Sequence, residues 1–289
     1  MELEQFTMED FTINSNEVIS WTDKNYNLYR IKIEFETLNT GKIPLFNLSM
    51  IQGMFLSLIE DVNYKISRIV HDNHKMKPWS FSLLYPDKYE KSSKKGFYKI
   101  KKGTRCKWFF HTISKGFKDI IISAFKEGLT VNFKHIKGKI KKLKVEDHTY
   151  QTPPEEGFKF IKIKLHSPTF FYLQEKNKLL EFSIESLFIA QLKKLKKLGF
   201  IKEYNKEKLL LLVRIYESYL QERSCVIKKY GYRSENKDLF GKYGNFVIKV
   251  NGSFKNKTSI WELFNLSQFL GIGSKSSMGF GHNSLMKVS

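Results

Sequence analysis

The chain has 289 residues, 41% of them hydrophobic and 15% aromatic, which is enough to bury the cores of two ordinary domains and excludes global disorder. Its 50 Lys and Arg against 29 Asp and Glu give a formal charge of +21 at pH 7, a field that gathers polyanions before any specific contact forms and makes nucleic acid the leading partner. The positive charge belongs to the body of the chain, because residues 1–22 hold five acids (Glu2, Glu4, Glu9, Asp10 and Glu17) and no Lys or Arg, and read as an acidic N-terminal extension. Cys106 and Cys225 lie far apart and form no CxxC pair, so neither a disulfide framework nor a Cys-rich zinc site is available and a reducing cytoplasm is expected. The acidic start lacks the pattern of a signal peptide, and the longest apolar run, Leu209 to Val213, falls far short of the roughly 18 residues that span a bilayer, so a soluble protein is expected.

In chain order, the alternation of Tyr29, Ile31, Ile33 and Phe35 with Arg30, Lys32 and Glu34 predicts a half-buried strand. Ile51, Met54, Phe55, Leu58, Ile59, Val62 and Ile66 fall on one side only of a helix, over about 48–68, with Asn47 or Ser49 to cap it. Residues 96–101 and 107–113 read as strands joined in a hairpin by a turn at Gly103 and Thr104. A second amphipathic helix, residues 117–127, turns Ile120, Ile121, Ala124 and Phe125 inward and stops at Gly128; strands at 130–134 and 138–145 follow. The order β-α-β-β-α-β is that of a ferredoxin-like domain over 23–147, with two helices on one face of a sheet and the other face open to a ligand or a second domain.

At 146–157 the sequence EDHTYQTPPEEG has a Pro pair and four acids and continues neither strand nor helix, so a linker is placed at 148–157. The second half, 158–289, repeats the plan more loosely: a strand at 159–165, helices at 184–198 and 207–221, strands at 226–232 and 246–250, and a helix at 259–270 between Thr258 as N-cap and Gly271 as the residue beyond its end. The fold class is α+β, two tandem ferredoxin-like domains.

The most informative segment is the C-terminal run of residues 270–281, LGIGSKSSMGFG, in which Gly271, Gly273, Gly279 and Gly281 permit close backbone approach. Successive amides in such a turn can cradle phosphate, with Ser274 and Ser276 as donors and Lys275 adding charge; the competing reading is a Gly/Ser tail, against which Ile272, Met278 and Phe280 would act as anchors. No GK[ST] closes the run, so it is no Walker loop. A second constellation, residues 71–82, HDNHKMKPWSFS, follows the first helix: an imidazole titrating near 6.5 can move a proton at neutral pH and a neighbouring lysine can neutralise a phosphorane, although a His beside lysines is often an ordinary surface residue. Lys and aromatic residues also interleave over 96–110, including Arg105, Lys107 and Trp108, either as an RNA surface or as alternating strands with their rings in the core. Lys139, Lys141, Lys142 and Lys144 are likewise RNA contacts or a solvated sheet face.

The loop Gly271-Ile-Gly273, five residues, Gly279-Phe-Gly281 resembles the C-terminal glycine signature of the CRISPR-associated repeat-cleaving endoribonuclease, a member of the RAMP superfamily. A first strand, a helix from near Ser49 containing Gln52 and Gly53, a His at its end and the KPWSFS stretch agree with that family, so the resemblance runs over residues 28–289. It implies two ferredoxin-like domains facing each other across a basic cleft that holds repeat RNA, with the glycine loop approaching the active site of the first domain. It further implies His71 as the catalytic histidine and Lys77 as its associated lysine. The helix tyrosine of some members falls at Leu56, and Ser57, Tyr64 and His74 are the nearby polar groups.

The expected chemistry is attack of a ribose 2′-hydroxyl on its adjacent phosphate, with His71 as acid or base, His74 near it and Lys77 stabilising the charge on the phosphate oxygens. The products are a 2′,3′-cyclic phosphate and a 5′-hydroxyl, and no metal or other cofactor is called for, since the nucleophile is internal. The implied partner is CRISPR repeat RNA, with other CRISPR-associated proteins of an interference complex beside it and no membrane. A non-catalytic RNA-binding subunit of such a complex is the competing reading.

Overall fold

The computed structural model describes residues 27–62, 64, 77–93, 96–148, 158–173, 178–180, 182–202, 206–234, 237–252, 257–274 and 281–288. The acidic segment 1–22, both imidazoles of the 71–77 constellation, and Lys275, Ser276 and Gly279 lie outside them.

In the first half, strand β1 (Leu28–Thr37) is followed by β2 (Gly41–Pro44), helix α1 (Leu48–Val62), the short strands β3 (Trp79–Phe81), β4 (Tyr85–Pro86), β5 (Glu90–Lys91) and β6 (Phe97–Ile100), then β7 (Arg105–Thr112), α2 (Lys115–Ala124), β8 (Thr130–Phe133) and β9 (Ile136–His148). The main sheet runs β3-β7-β1-β9-β8, all antiparallel, so its first four strands take the ferredoxin-like order. The period-2 pattern read from 29–35 puts Ile31, Ile33 and Phe35 under the helices, each at most 2% exposed. Phe55 of α1 is the hub of that core, with ring centroids 5.5 Å from Phe110, 5.8 Å from Phe81, 6.3 Å from Trp108 and 6.5 Å from Trp79.

The second half contains β10 (Phe160–Thr169), β11 (Phe171–Leu173), β12 (Lys178–Leu180), α3 (Ile184–Lys197), α4 (Lys206–Ser218), β13 (Leu220–Ser234), β14 (Lys237–Val250), α5 (Lys257–Leu270) and β15 (Asn283–Val288). Its sheet runs β13-β14-β10-β15, the same order as in the first half. The core gathers Leu187, Phe188, Leu192 and Leu195 of α3, Leu212 and Tyr216 of α4 and Ile260, Leu263, Phe264 and Leu266 of α5 beside Ile161 and Ile163 of β10. Two ferredoxin-like halves are thus present in tandem. Among the described residues no helix is long and apolar enough to cross a membrane.

Several local expectations change. Residues 97–100 and 105–112 form no hairpin: β6 pairs with β2 and β5 in a separate three-stranded sheet, while β7 inserts between β1 and β3. β7, an interior strand of the main sheet, takes partners on both sides, and the turn at Gly103 (φ 80°) instead lets the chain cross from one sheet to the other. Strand β9 does not stop before Glu146 but continues to His148, pairing Glu146 with Arg30 and His148 with Leu28, so ladder hydrogen bonds hold an acidic stretch in the sheet. Asn47 does not cap α1 with its side chain, which accepts from Leu84 N at 2.9 Å and ties the helix start to the strand region. Thr258 lies inside α5 rather than before it. Trp108 is fully buried, as the core reading of the aromatics requires, whereas Lys139, Lys141, Lys142 and Lys144 are exposed. Cys106 is buried, and desolvation pushes its thiol up to about 12, so it is inert.

Phe55→Ala should cost about 3–5 kcal/mol in urea unfolding, because it removes the ring on which four aromatic neighbours converge. A cost below about 1 kcal/mol would show that the first core does not depend on α1.

Candidate nucleic-acid interface

The glycine run begins where α5 ends. Gly271 adopts φ 71° and its amide bonds back to Ser267 O at 2.7 Å, a left-handed helix stop. From there the chain closes on itself: Ile272 N donates to Gly281 O at 2.9 Å, Ser274 N to Phe170 O at 2.9 Å and Gly281 N to Pro168 O at 3.0 Å. A Cβ on Gly281 would stand 1.7 Å from Ile272 O, and one on Gly273 would stand 2.5 Å from Phe170 O. These two glycines are required because backbone meets backbone there. The amides of Gly271, Ile272, Ser274 and Gly281 are therefore spent inside the protein, and a phosphate cradle built from them, as the sequence suggested, is not available. The loop has a rigid base, and its outer residues 275–280 lie outside the described ones.

Lys194 of α3, overlooked in the sequence as one more residue of a Lys-rich run, is 3% exposed and reaches that base. Its ammonium donates to Gly271 O at 2.7 Å, Leu270 O at 3.1 Å and Gly273 O at 3.4 Å, and Gln191 Nε2 adds a bond to Gly271 O at 3.0 Å. The last carbonyls of a helix lack intrahelical partners and carry its negative dipole end, which is why a cation belongs there. Desolvation brings the lysine down to about 7.

The other side of the same helix end meets the first half. Ser80 Oγ of β3 donates to Phe269 O at 2.8 Å. The Phe269 ring lies 5.9 Å from His111 and 5.5 Å from His148, with the Arg30 guanidinium 5.9 Å from its centroid. His111 also stacks on His282 at 5.4 Å, and His282 lies 5.1 Å from His166. Arg30 Nε donates to His111 Nε2 at 3.1 Å, Tyr85 Oη lies 3.4 Å from His282 Nδ1, and His166 Nε2 lies 2.8 Å from Ser284 Oγ. Burial holds all three imidazoles in the neutral form: His111 falls well below its usual value, His282 to about 3 and His166 to about 4, with neighbouring positive or imidazole groups acting in the same direction. At 2% and 9% exposure, His111 and His282 are joints of the seam rather than groups in reach of a polymer. The alternation in β7 could have placed His111 on the open face; nothing local in the sequence indicated its partners, Phe269 on α5 and His282 just before β15.

Of the sequence-predicted residues, Lys77 stands two positions before β3, its ammonium 5.7 Å from the Trp79 ring, and Ser80 three positions on is the contact to α5. Lys77 is thus three residues from the seam along the chain, while its ammonium leans on Trp79, which packs against Phe55 and Phe117 on the helix side of the sheet. Arg105 and Lys107 are exposed on β7, and with Phe109 and His111 they line the sheet face away from the helices, at about 6.6 Å per pair of residues, ending at the seam. Lys32 sits between Phe109 of β7 and Lys144 of β9 on that face, with Lys32 paired to Glu34 and Lys144 to Glu146 at 3.1 Å. Among the described residues no group of three His, Cys, Asp or Glu side chains is arranged to hold a metal ion.

A family model described as the CRISPR-associated endoribonuclease Cas6 matches residues 163–283, a span that contains the whole glycine run. Among solved structures, a Cas6-related protein of Pyrococcus furiosus is similar with a TM-score of 0.64 at 13% identity, covering 91% of this chain and 100% of its own. The Cas6 of Thermus thermophilus follows at TM-score 0.61 and 14% identity with the same coverage, and a RAMP protein binding different RNA substrates at TM-score 0.58 and 15% identity, over 90% of this chain and 100% of its own. No curated protein matches the chain.

The buried imidazoles predict acid lability. They are neutral in the folded chain and would titrate near 6.5 when unfolded, so the unfolded state binds more protons as pH falls from about 6.5 toward 4, and each such group removes about 1.4 kcal/mol per pH unit. Thermal unfolding followed from pH 7 to 4.5 should show a falling midpoint, with a shallower fall in His166→Asn. Equal slopes in the two proteins would contradict this account of the seam.

Proposed function

We propose that the chain is a member of the family of the CRISPR-associated endoribonuclease Cas6, whose model matches its second half, and that it binds CRISPR repeat RNA along the seam between its two halves and cuts the precursor into guide RNA. The observation that carries this reading is the fixed base of the glycine loop, tied by Lys194 and Gln191 on one side and by Phe269 to Ser80 on the other, three residues beyond Lys77. In this reading Lys275, Ser276 and Gly279 of the same loop contact the RNA. The basic cleft of this reading has the exposed Arg105 and Lys107 on one wall, and the chain divides into 23–147 and 158–289 at a linker over 148–157.

In the proposed reaction the 2′-hydroxyl of the nucleotide before the scissile phosphate attacks that phosphorus. A proton leaves the nucleophile, the P–O5′ bond breaks, and the departing oxygen takes up a proton, giving a 2′,3′-cyclic phosphate and a 5′-hydroxyl. His71 moves one of these protons, and Lys77 stabilises charge on the non-bridging oxygens. Leu56, where some relatives carry a tyrosine, packs against the first core and offers no proton, so the second transfer falls to His74 or to His71 acting in turn. The nucleophile is supplied by the RNA, so the reaction needs no metal ion. The setting is the cytoplasm, with other CRISPR-associated proteins as later partners of the product.

The same Leu56 favours a second reading, an RNA-binding subunit that does not cut. One experiment separates the two: labelled repeat RNA is incubated with the protein in EDTA, alongside an RNA with a single 2′-deoxy nucleotide at the scissile position. Cleavage of the first and intact binding of the second are expected, and His71→Ala should slow cutting by roughly 10²–10⁴-fold. Loss of cutting in EDTA, or cutting of the deoxy RNA, would rule out this chemistry, and a shifted but uncut RNA would establish the subunit reading.

A further inference from the structure

Beside the small sheet β2-β6-β5 stands an exposed aromatic ring, Tyr89, that belongs to neither core. Tyr98 of β6 packs against the first core, opposite the buried Ile43 of β2. Tyr89, immediately before β5, covers the Tyr98 ring at 4.3 Å between centroids with the planes tilted by 39°, and is itself 54% exposed. One face of Tyr89 is thus backed by a second ring while much of its surface meets water. Lys88 and Lys91, on either side of it in the chain, are exposed, and Lys91 lies opposite Tyr98 in the ladder; Glu90, the one acid in the sequences of these three strands, is on the other face with Lys42 and Lys99 and lies closer to Lys101 (2.6 Å) than to Lys99 (4.0 Å). An exposed ring set among lysines matches a polymer that alternates flat bases with phosphates.

Burial, with the nearby Tyr89 and Tyr243 acting in the same direction, raises the Tyr98 hydroxyl above its usual range. Tyr243 meets Phe46 edge-on at 4.9 Å, Phe46 shares a small core with Leu83 and Phe170, and Phe170 O receives the Ser274 amide at the base of the glycine loop. Packed side chains therefore run from that loop base through Phe170 and Phe46 to Tyr243.

We propose that Tyr89, backed by Tyr98 and flanked by Lys88 and Lys91, is a stacking site for one unpaired nucleobase of the RNA strand that passes the glycine loop. The proposal rests on the RNA-processing reading and adds to it a site outside the cutting centre. Every base has a π-face, so the site selects an unpaired nucleotide rather than a particular letter, while the lysines hold the phosphates on either side.

The test is an abasic scan of the CRISPR repeat RNA of the protein's own genome, with affinity read by fluorescence anisotropy on wild type, Tyr89→Ala and Tyr89→Phe. Tyr89→Ala should weaken binding about 5- to 100-fold, the range for loss of one stacked base, and Tyr89→Phe should bind as wild type. One abasic position should weaken wild-type binding and leave Tyr89→Ala unaffected. If Tyr89→Ala proves misfolded, 2-aminopurine at that position, quenched on binding to the wild-type protein, decides instead. Wild-type affinity in a folded Tyr89→Ala, or the absence of any such position, would overturn the site alone. Failure of the wild-type protein to bind repeat RNA at all would overturn the RNA reading beneath it.

Discussion

The structure turns on a clasp of main chain against main chain. Ile272 and Gly281 exchange a hydrogen bond across the base of the glycine loop, while Gly281 and Ser274 reach Pro168 and Phe170, so the loop is sewn to the end of β10. A side chain at 281 would overlap the Ile272 carbonyl, and one at 273 would press on the Phe170 carbonyl. Glycine is thus demanded by the chain's own packing, before any ligand is considered. Lys194 gathers the carbonyls that this geometry leaves pointing inward. A buried ammonium is costly, and it is tolerated here because several carbonyls and the negative end of α5 converge on it.

That clasp governs how the halves meet. The last turn of α5 belongs to the second core through Ile260, Leu263 and Leu266, yet its final residues touch β3 and the His111 face of β7. The open face of the first sheet is thereby closed at one end and left with exposed Arg105 and Lys107 at the other. Neutral imidazoles at the joint suit this arrangement, since in a chain of net charge +21 further buried cations would drive the two halves apart.

Strong periodicity was legible in the sequence. The alternation of Tyr29 to Phe35, the stripe from Ile51 to Ile59 and the glycine stop after Leu270 each correspond to an observed element, because in each case one face or one backbone angle is dictated locally. Pairing was less legible: residues 97–100 look like the partner of 105–112, and only the need to fill both sides of β7 sends them to another sheet. Strand β15 went unread, since Asn283 to Val288 has weak alternation of its own and is recruited by the free edge of β10. The site divides in the same way. Glycines and a lysine near a strand start are visible as letters, whereas Lys194, Gln191, His166 and His282 gain their roles from partners far away in the chain.

Cross-linking of the intact protein to repeat RNA carrying photoreactive uridines, with the linked peptides identified by mass spectrometry, tests the central claim most directly. The account predicts adducts in the peptides that hold residues 71–77 and 275–280. Adducts confined to the outward surfaces of α2 or α4, with none at either peptide, would contradict it.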